Sequence, residues 1–189
     1  MDFENSWLAG KLLIAMPSMA DERFDKAVIY VCAHTDEGAM GLIVNKPSTD
    51  IRLKDLLEQL DIEENDLSIN MRVHIGGPVE KSRGFVLHSS DYQSEVGSLT
   101  VDNDHTMTAT LDVLRRIADG DGPENVMLAL GYSGWGPGQL EGEIAKNGWL
   151  TCDASDEIVF GRANEFKWTA ALKALGVDPI VLSSDAGHA

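Results

Sequence analysis

Short apolar runs separated by glycine, proline and acidic breaks dominate the chain, and only a few stretches place apolar residues at helical spacing. Residues 12–16 form an apolar run closed by Pro17, the pattern of a buried strand with a proline stop. Residues 27–33 carry β-branched and aromatic side chains, the composition of a central strand. Thr35, Asp36, Glu37 and Gly38 supply turn chemistry, and residues 40–44 resume the strand pattern, so the two runs are predicted to pair as an antiparallel hairpin. Further strands are predicted at 73–75 and 84–88, with a short one at a sheet edge over 99–101. The wholly apolar run 126–130 suits a strand covered on both faces, and 149–152 and 158–160 read as two more.

Helical spacing begins after the break at 47–50. Leu53, Leu56, Leu57 and Leu60 form one stripe, with Ser48 or Asp50 available as a cap. From Thr106 onward, Met107, Leu111, Leu114 and Ala118 share a face, with Asp104 as cap and residues 120–123 as the stop. Residues 139–147 predict a helix with Leu140 and Ile144 inward. Residues 165–175 predict another, with Trp168, Ala171 and Leu172 apolar and Gly176 just past its end. The small, polar tail after Leu182 is expected to fray. Strands come in adjacent groups without regular strand–helix alternation. The expected class is therefore α+β, with a mixed, largely antiparallel sheet and flanking helices in a single domain over 1–189.

Charge narrows the partners. Fifteen Lys and Arg stand against 31 Asp and Glu, a formal net charge of −16. Such a surface repels phosphate backbones and anionic leaflets, so no direct nucleic-acid partner and no membrane partner are predicted. Residues 50–66 alone hold Asp50, Asp55, Glu58, Asp61, Glu63, Glu64 and Asp66 against Arg52 and Lys54, an acidic helix face. No apolar run is long enough to span a bilayer, and the acidic start of the chain is not a signal peptide. Cys32 and Cys152 lie far apart with no CxxC spacing, which points to a reducing, cytoplasmic compartment, with Cys32 as a small buried hydrophobe.

The glycine-rich segment 131–138 is the most informative stretch. A nucleophile elbow needs G-x-S-x-G, but Trp135 occupies the fifth position after Gly131, Tyr132, Ser133 and Gly134. Gly134, Gly136 and Gly138 match neither the dinucleotide fingerprint nor the P-loop, and Glu141 and Glu143 would repel a phosphate at the helix that follows. The favoured reading is a tight sheet-to-helix connection, with Pro137 at the helix start and Tyr132 and Trp135 packed on or beside the sheet. His34, His74, His88, His105 and His188 show no metal-ligand spacing, and no metal or cofactor is predicted. His88, at a strand end, is the best candidate base, so a hydrolase using Ser133 and His88 is the alternative function. Gly76, Gly77, Pro78 and Arg83 read as a hairpin-like link between 73–75 and 84–88, or else as a loop whose amides and arginine hold a carboxylate.

Several ordered motifs carry a family resemblance: Gly10 to Pro17 with Asp21 and Phe24, His34, Gly38 to Pro47, Gly76 to Val79, Gly84 to His88, and Ala129 to Glu141. On these, nearly the whole chain resembles the YqgE/AlgH family of small bacterial proteins. The resemblance implies an α+β fold whose bent, bifurcated sheet closes towards a pseudo-barrel, and a cytosolic protein. It carries the label of transcriptional regulator without an established activity or a recognisable DNA-binding element. The leading expectation is a non-catalytic binding or regulatory module. It would hold an unidentified protein or small-molecule partner in a crevice built from His34, Asn45, Gly76, Gly77, Pro78, Arg83, Gly131, Tyr132, Trp135 and Gln139.

Overall fold

The computed structural model describes residues 7–63, 71–94, 96–110 and 112–186. Glu64, Asp66, Leu111 and His188, each used in the sequence reading, lie outside the described residues, as does the start of the chain.

Among the described residues nine strands form one sheet: β1 (Lys11–Ala15), β2 (Val28–Thr35), β3 (Gly38–Ile43), β4 (Val73–Ile75), β5 (Val79–Ser89), β6 (Ser98–Thr100), β7 (His105–Thr108), β8 (Val126–Trp135) and β9 (Trp149–Asp153). Their order is β6-β7-β5-β8-β3-β2-β1-β9. The predicted hairpin is present: β2 and β3 pair antiparallel from Ile29–Ile43 to Thr35–Gly38, with a bulge between Val31 and Ala33. Strand β6 lies at one end of the path, as expected for an edge.

The sheet's shape originates at β8. One edge of β8 pairs with β5 along its length. The other edge is divided: Leu128, Ala129 and Leu130 pair in parallel with β4, whereas Ser133, Gly134 and Trp135 pair antiparallel with β3. Two strands sharing one edge force the sheet to fork and bend there, and the result is a curled half-barrel. All pairings other than β4–β8 are antiparallel. The hairpin expected between 73–75 and 84–88 does not form, because β4 and β5 lie on opposite edges of β8.

The helices are α1 (Leu53–Gln59), α2 (Asp112–Ala118), α3 (Gln139–Ala145), α4 (Asp156–Phe160), α5 (Asn164–Ala174) and α6 (Pro179–Ala186). They cover both faces of the sheet. Val159 of α4 and Ala171 and Leu172 of α5 join Leu12, Tyr30 and Leu87 in one buried cluster. Leu53, Leu57 and Leu114 pack with Val86 and Leu128 on the other side, and Leu140 of α3 meets Trp135 and Trp149 in a third.

Several expectations are corrected. Residues 105–108 are strand, not helix, and the helix starts only at Asp112. Thr106 and Thr108 are β-branched, and β7 is paired on both edges, by β5 and β6, which overrides the helical spacing of Met107 and Leu114. Asp104 caps no helix, and its amide instead bonds Asp102 Oδ1 at 2.8 Å. Residues 158–160 are helical because Ser155 caps that segment, accepting from the Ile158 amide, with Asp156 and Glu157 in the first turn. Residues 183–186 continue α6, which Asp178 starts by accepting from the Ile180 amide ahead of a helix beginning with Pro179. The turn chemistry expected across 131–138 is also displaced. Strand β8 runs through Trp135, and only 136–138 turn, with Gly138 at φ +72° where a side chain would strain the backbone.

Candidate functional site

Of the residues expected to form a crevice, Gly76 and Gly77 lie directly against β8. A Cβ on Gly76 would stand 2.3 Å from the Gly131 carbonyl oxygen, and one on Gly77 would stand 2.2 Å from that of Tyr132. The Gly76–Gly77 segment and β8 are thus packed backbone to backbone. Pro78 follows this contact at half-burial. Arg83 is exposed, pairs with Glu80 at 3.3 Å and lies over the Phe85 ring at 5.2 Å. Asn45 holds the start of β2, accepting from the Val28 amide at 2.9 Å and donating to the Lys26 carbonyl. Gln139 accepts from the Gly136 amide at 3.0 Å and so closes the turn that leads into α3.

Trp135, Trp149, His34 and α3 form an interlock. Glu143 Oε1 accepts from the indole N–H of Trp135 at 3.3 Å and of Trp149 at 3.2 Å. His34 Nε2 meets Glu141, two residues earlier on α3. The Glu141 carboxyl is held below its usual range by backbone hydrogen bonding and by His34. The two glutamates that follow the glycine-rich segment therefore bind side chains of β2, β8 and β9.

Ser133 and His88 do not meet. Ser133 is fully buried and donates to the Gly76 carbonyl at 3.1 Å. His88 is fully buried between the Ser89 carbonyl at 2.8 Å and Thr108 Oγ1 at 2.8 Å, and burial pushes its pKa down. His88 sits opposite Val126 in the register of β8, so about 23 Å of strand lies between that position and Ser133. The nucleophile–base pair of the hydrolase alternative is not assembled. Cys32 is buried and bonded to nothing stronger than the Tyr30 carbonyl at 3.9 Å, and burial pushes its thiol up to about 12.

His105 is held by two carboxylates. Asp102 Oδ1 accepts from Nδ1 at 3.0 Å and Asp156 Oδ1 from Nε2 at 2.8 Å. Burial alone would lower its pKa, but Asp156 and Asp102 outweigh burial and hold it above the usual histidine range. This ion group ties β7 to the start of α4. Among the described residues, no group of three or more His, Cys, Asp or Glu could hold a metal ion. No helix of the described residues is long and apolar enough to cross a membrane.

A cavity lies elsewhere, where β4, the end of α2, the start of β8 and the α4–α5 junction converge. It is a cleft of about 670 Å³. Its walls include Ile117, Val126, Val159 and Phe160, and its polar groups include Arg72, Glu124, Arg162, His74 and Asn164. His74 and Asn164 are buried, 6% and 5% exposed. His74 Nε2 donates to Asn164 Oδ1 at 3.2 Å, the amide oxygen fixing the tautomer. Nδ1 makes no further hydrogen bond of good geometry. Burial first, then the Lys167 ammonium, pushes the His74 pKa down, so the imidazole is neutral near pH 7. Lys167 is itself buried and donates to the Val44 carbonyl at 2.8 Å and to that of Val159, a cleft-wall residue, at 3.1 Å. Arg72 and Arg162 are exposed, and among the described residues neither guanidinium has a carboxylate partner.

Sequence reasoning missed this cleft. His74 was visible only as an isolated histidine, and Arg72 and His74 lie about ninety residues from Arg162 and Asn164 along the chain. The available signal was weak: two arginines beside strand and helix ends in a strongly acidic chain.

Comparison with known proteins gives a consistent result. A family model described as AlgH-like matches residues 12–180. A UPF0301 protein of Cereibacter sphaeroides is 53% identical over 182 residues, 96% of this chain and 99% of that protein. A UPF0301 protein of Ruegeria pomeroyi is 57% identical over 183 residues, with the same coverage of 96% and 99%. The solution structure of the AlgH protein from Pseudomonas aeruginosa superposes with a TM-score of 0.78 at 41% identity, covering 100% of this chain and 99% of that one. The crystal structure of a Corynebacterium diphtheriae protein shares the fold, with a TM-score of 0.75 at 20% identity over 97% of this chain and 94% of that one.

Proposed function

The chain belongs to the AlgH-like family, and from that premise we propose that it is a non-catalytic binding module with a regulatory role, whose ligand sits in the cleft bordered by Arg72 and Arg162. The observation that carries this reading is the cleft itself. Its volume falls within the range of small-molecule sites, and it combines apolar walls with a few convergent polar groups. The groups that could have suggested catalysis elsewhere are already committed: Ser133 to Gly76, His88 to Thr108, and His34 to Glu141. A net charge of −16 opposes contact with a phosphate backbone, so an effect on transcription would pass through the bound ligand or a protein partner.

The test is to incubate the full chain with native cell extract, re-isolate it without denaturation, and record its intact mass and amide exchange. The expected result is an added mass, with slowed exchange at β4 and residues 161–164. Met71→Trp, which places a large ring at the cleft wall, should abolish both. Protection confined to the Gly76–Tyr132 contact or to α3, unchanged by Met71→Trp, would refute the assignment.

A further inference from the structure

Resting on that reading of the cleft, we infer that its ligand is an organic oxyanion: a carboxylate or phosphate head held by Arg72 and Arg162, with an apolar body against Ile117, Val126 and Phe160. Three observations converge. The first is charge. In a chain with 31 acidic and 15 basic side chains, two arginines line one cleft and neither has a carboxylate partner among the described residues. Planar guanidinium groups match the two-oxygen edge of carboxylates and phosphates, which is why arginine serves where such heads are recognised.

The second observation is the cation behind the wall. The Lys167 ammonium is anchored on the Val159 carbonyl and is near enough to His74 to depress its pKa. Screening by water is weak there, because Lys167 is 3% exposed. Glu124 lines the cleft as well and works against an anion. Two guanidinium groups and the buried ammonium outweigh it, and the neutral His74 adds no charge of its own.

The third observation is composition. The half-buried Val126 and Phe160, with the edge of Ile117, make part of the walls apolar, a surface that a free inorganic ion would leave unused. Burying an apolar body of modest size contributes through area, at about 25 cal/mol per Å². The anionic head supplies orientation and the apolar body supplies part of the affinity.

The experiment uses the full chain and three aromatic probes: phenyl phosphate, phenylacetate and neutral benzyl alcohol, each titrated by NMR on labelled protein. The expected result is that at least one anion shifts the amides of residues 71–74 and 161–164, whereas benzyl alcohol does so weakly or not at all. Whichever anion binds tighter identifies the head group. Arg72→Gln and Arg162→Gln should each weaken that anion by at least about tenfold, the scale of one lost charge-assisted hydrogen bond. Both side chains are exposed, so the melting temperature should hardly move, which separates lost binding from lost folding. If benzyl alcohol binds as well as the anions, or the Arg72→Gln/Arg162→Gln double variant binds them undiminished, the oxyanion inference is overturned while the cleft remains a binding site. If no probe shifts any cleft amide, and extract-derived protection also maps elsewhere, both the inference and the site fall.

Discussion

Removing the Glu143 carboxylate should destabilise the protein more than its half-exposed position suggests. Its Oε1 is the acceptor for two indole N–H groups, at 3.3 Å from Trp135 and 3.2 Å from Trp149. Those rings are 7% and 1% exposed and meet edge-on at 6.1 Å, so water cannot readily replace a lost acceptor. Each buried donor left unpaired costs about 1–3 kcal/mol. Trp149 should bear nearly the full penalty and Trp135 part of it, which gives about 3 kcal/mol for Glu143→Ala. The higher helix propensity of alanine returns only a few tenths of a kcal/mol. For a domain of this size the loss corresponds to a drop of about 6–12 °C in melting temperature. Glu143→Gln keeps an acceptor oxygen at the same place and should recover more than half of the loss. Urea titration followed by tryptophan emission reads both variants. If Glu143→Ala lies within about 0.5 kcal/mol of wild type, the interlock of α3 with β8 and β9 is not what holds this end of the sheet.

Three further outcomes are expected. The His105 pKa is raised in the fold, so its contribution is complete below the unfolded value near 6.5 and is lost as pH rises through the folded value; the stability deficit of His105→Gln should be larger at about pH 5.5 than at about pH 9, and a flat difference would contradict the Asp102–His105–Asp156 geometry. Burial lowers Lys167 to about 8, so the unfolded chain holds the extra proton between that value and 10.5; wild type should therefore gain stability over Lys167→Met as pH rises through this window, and a gain in the opposite direction would show that the ammonium is not desolvated. Ser133→Ala should cost only about 1 kcal/mol, because the Gly76 carbonyl still accepts from Ile43, and a serine-reactive phosphonate should leave Ser133 unlabelled in the folded chain; an adduct there would revive the hydrolase reading.

Much of the fold was legible because local and global preferences agree along most of the chain. The hairpin of β2 and β3, the apolar core of β8 and the stripe of α1 all follow from periodicity and turn residues. The misreadings fall where a local pattern met a stronger constraint. Met107 and Leu114 kept helical spacing, but β7 lies between two strands and its threonines belong there. The apolar triplet at 158–160 resembled a strand until Ser155, Asp156 and Glu157 are read as a helix start. Residues 73–75 and 84–88 were visible as strands, but not that β8 separates them. A parallel pairing between β4 and β8 has no short-range sequence signal, since the paired segments are more than fifty residues apart.

The candidate site was illegible for the same reason, and the glycine-rich motif drew attention away from it. The string from Gly131 to Glu143 looks functional because it is dense in glycine, tryptophan and serine. In the fold each element of that string answers a packing demand. Gly131 admits the Gly77 carbonyl at 2.5 Å from where its Cβ would stand, Ser133 donates to Gly76, Trp135 donates to Glu143, and Gly138 turns the chain into α3. A forked sheet needs such a segment, because β8 must present one edge to two strands of opposite direction while keeping its backbone close to the Gly76–Gly77 bend. The cleft, by contrast, draws Arg72 and His74 from β4 and its approach, Val126 from the start of β8, and Arg162 and Asn164 from the α4–α5 junction. No two of these segments are neighbours in sequence. The motif that marks the chain most strongly therefore specifies the architecture, and the residues available to a ligand are scattered polar positions that only this architecture brings together.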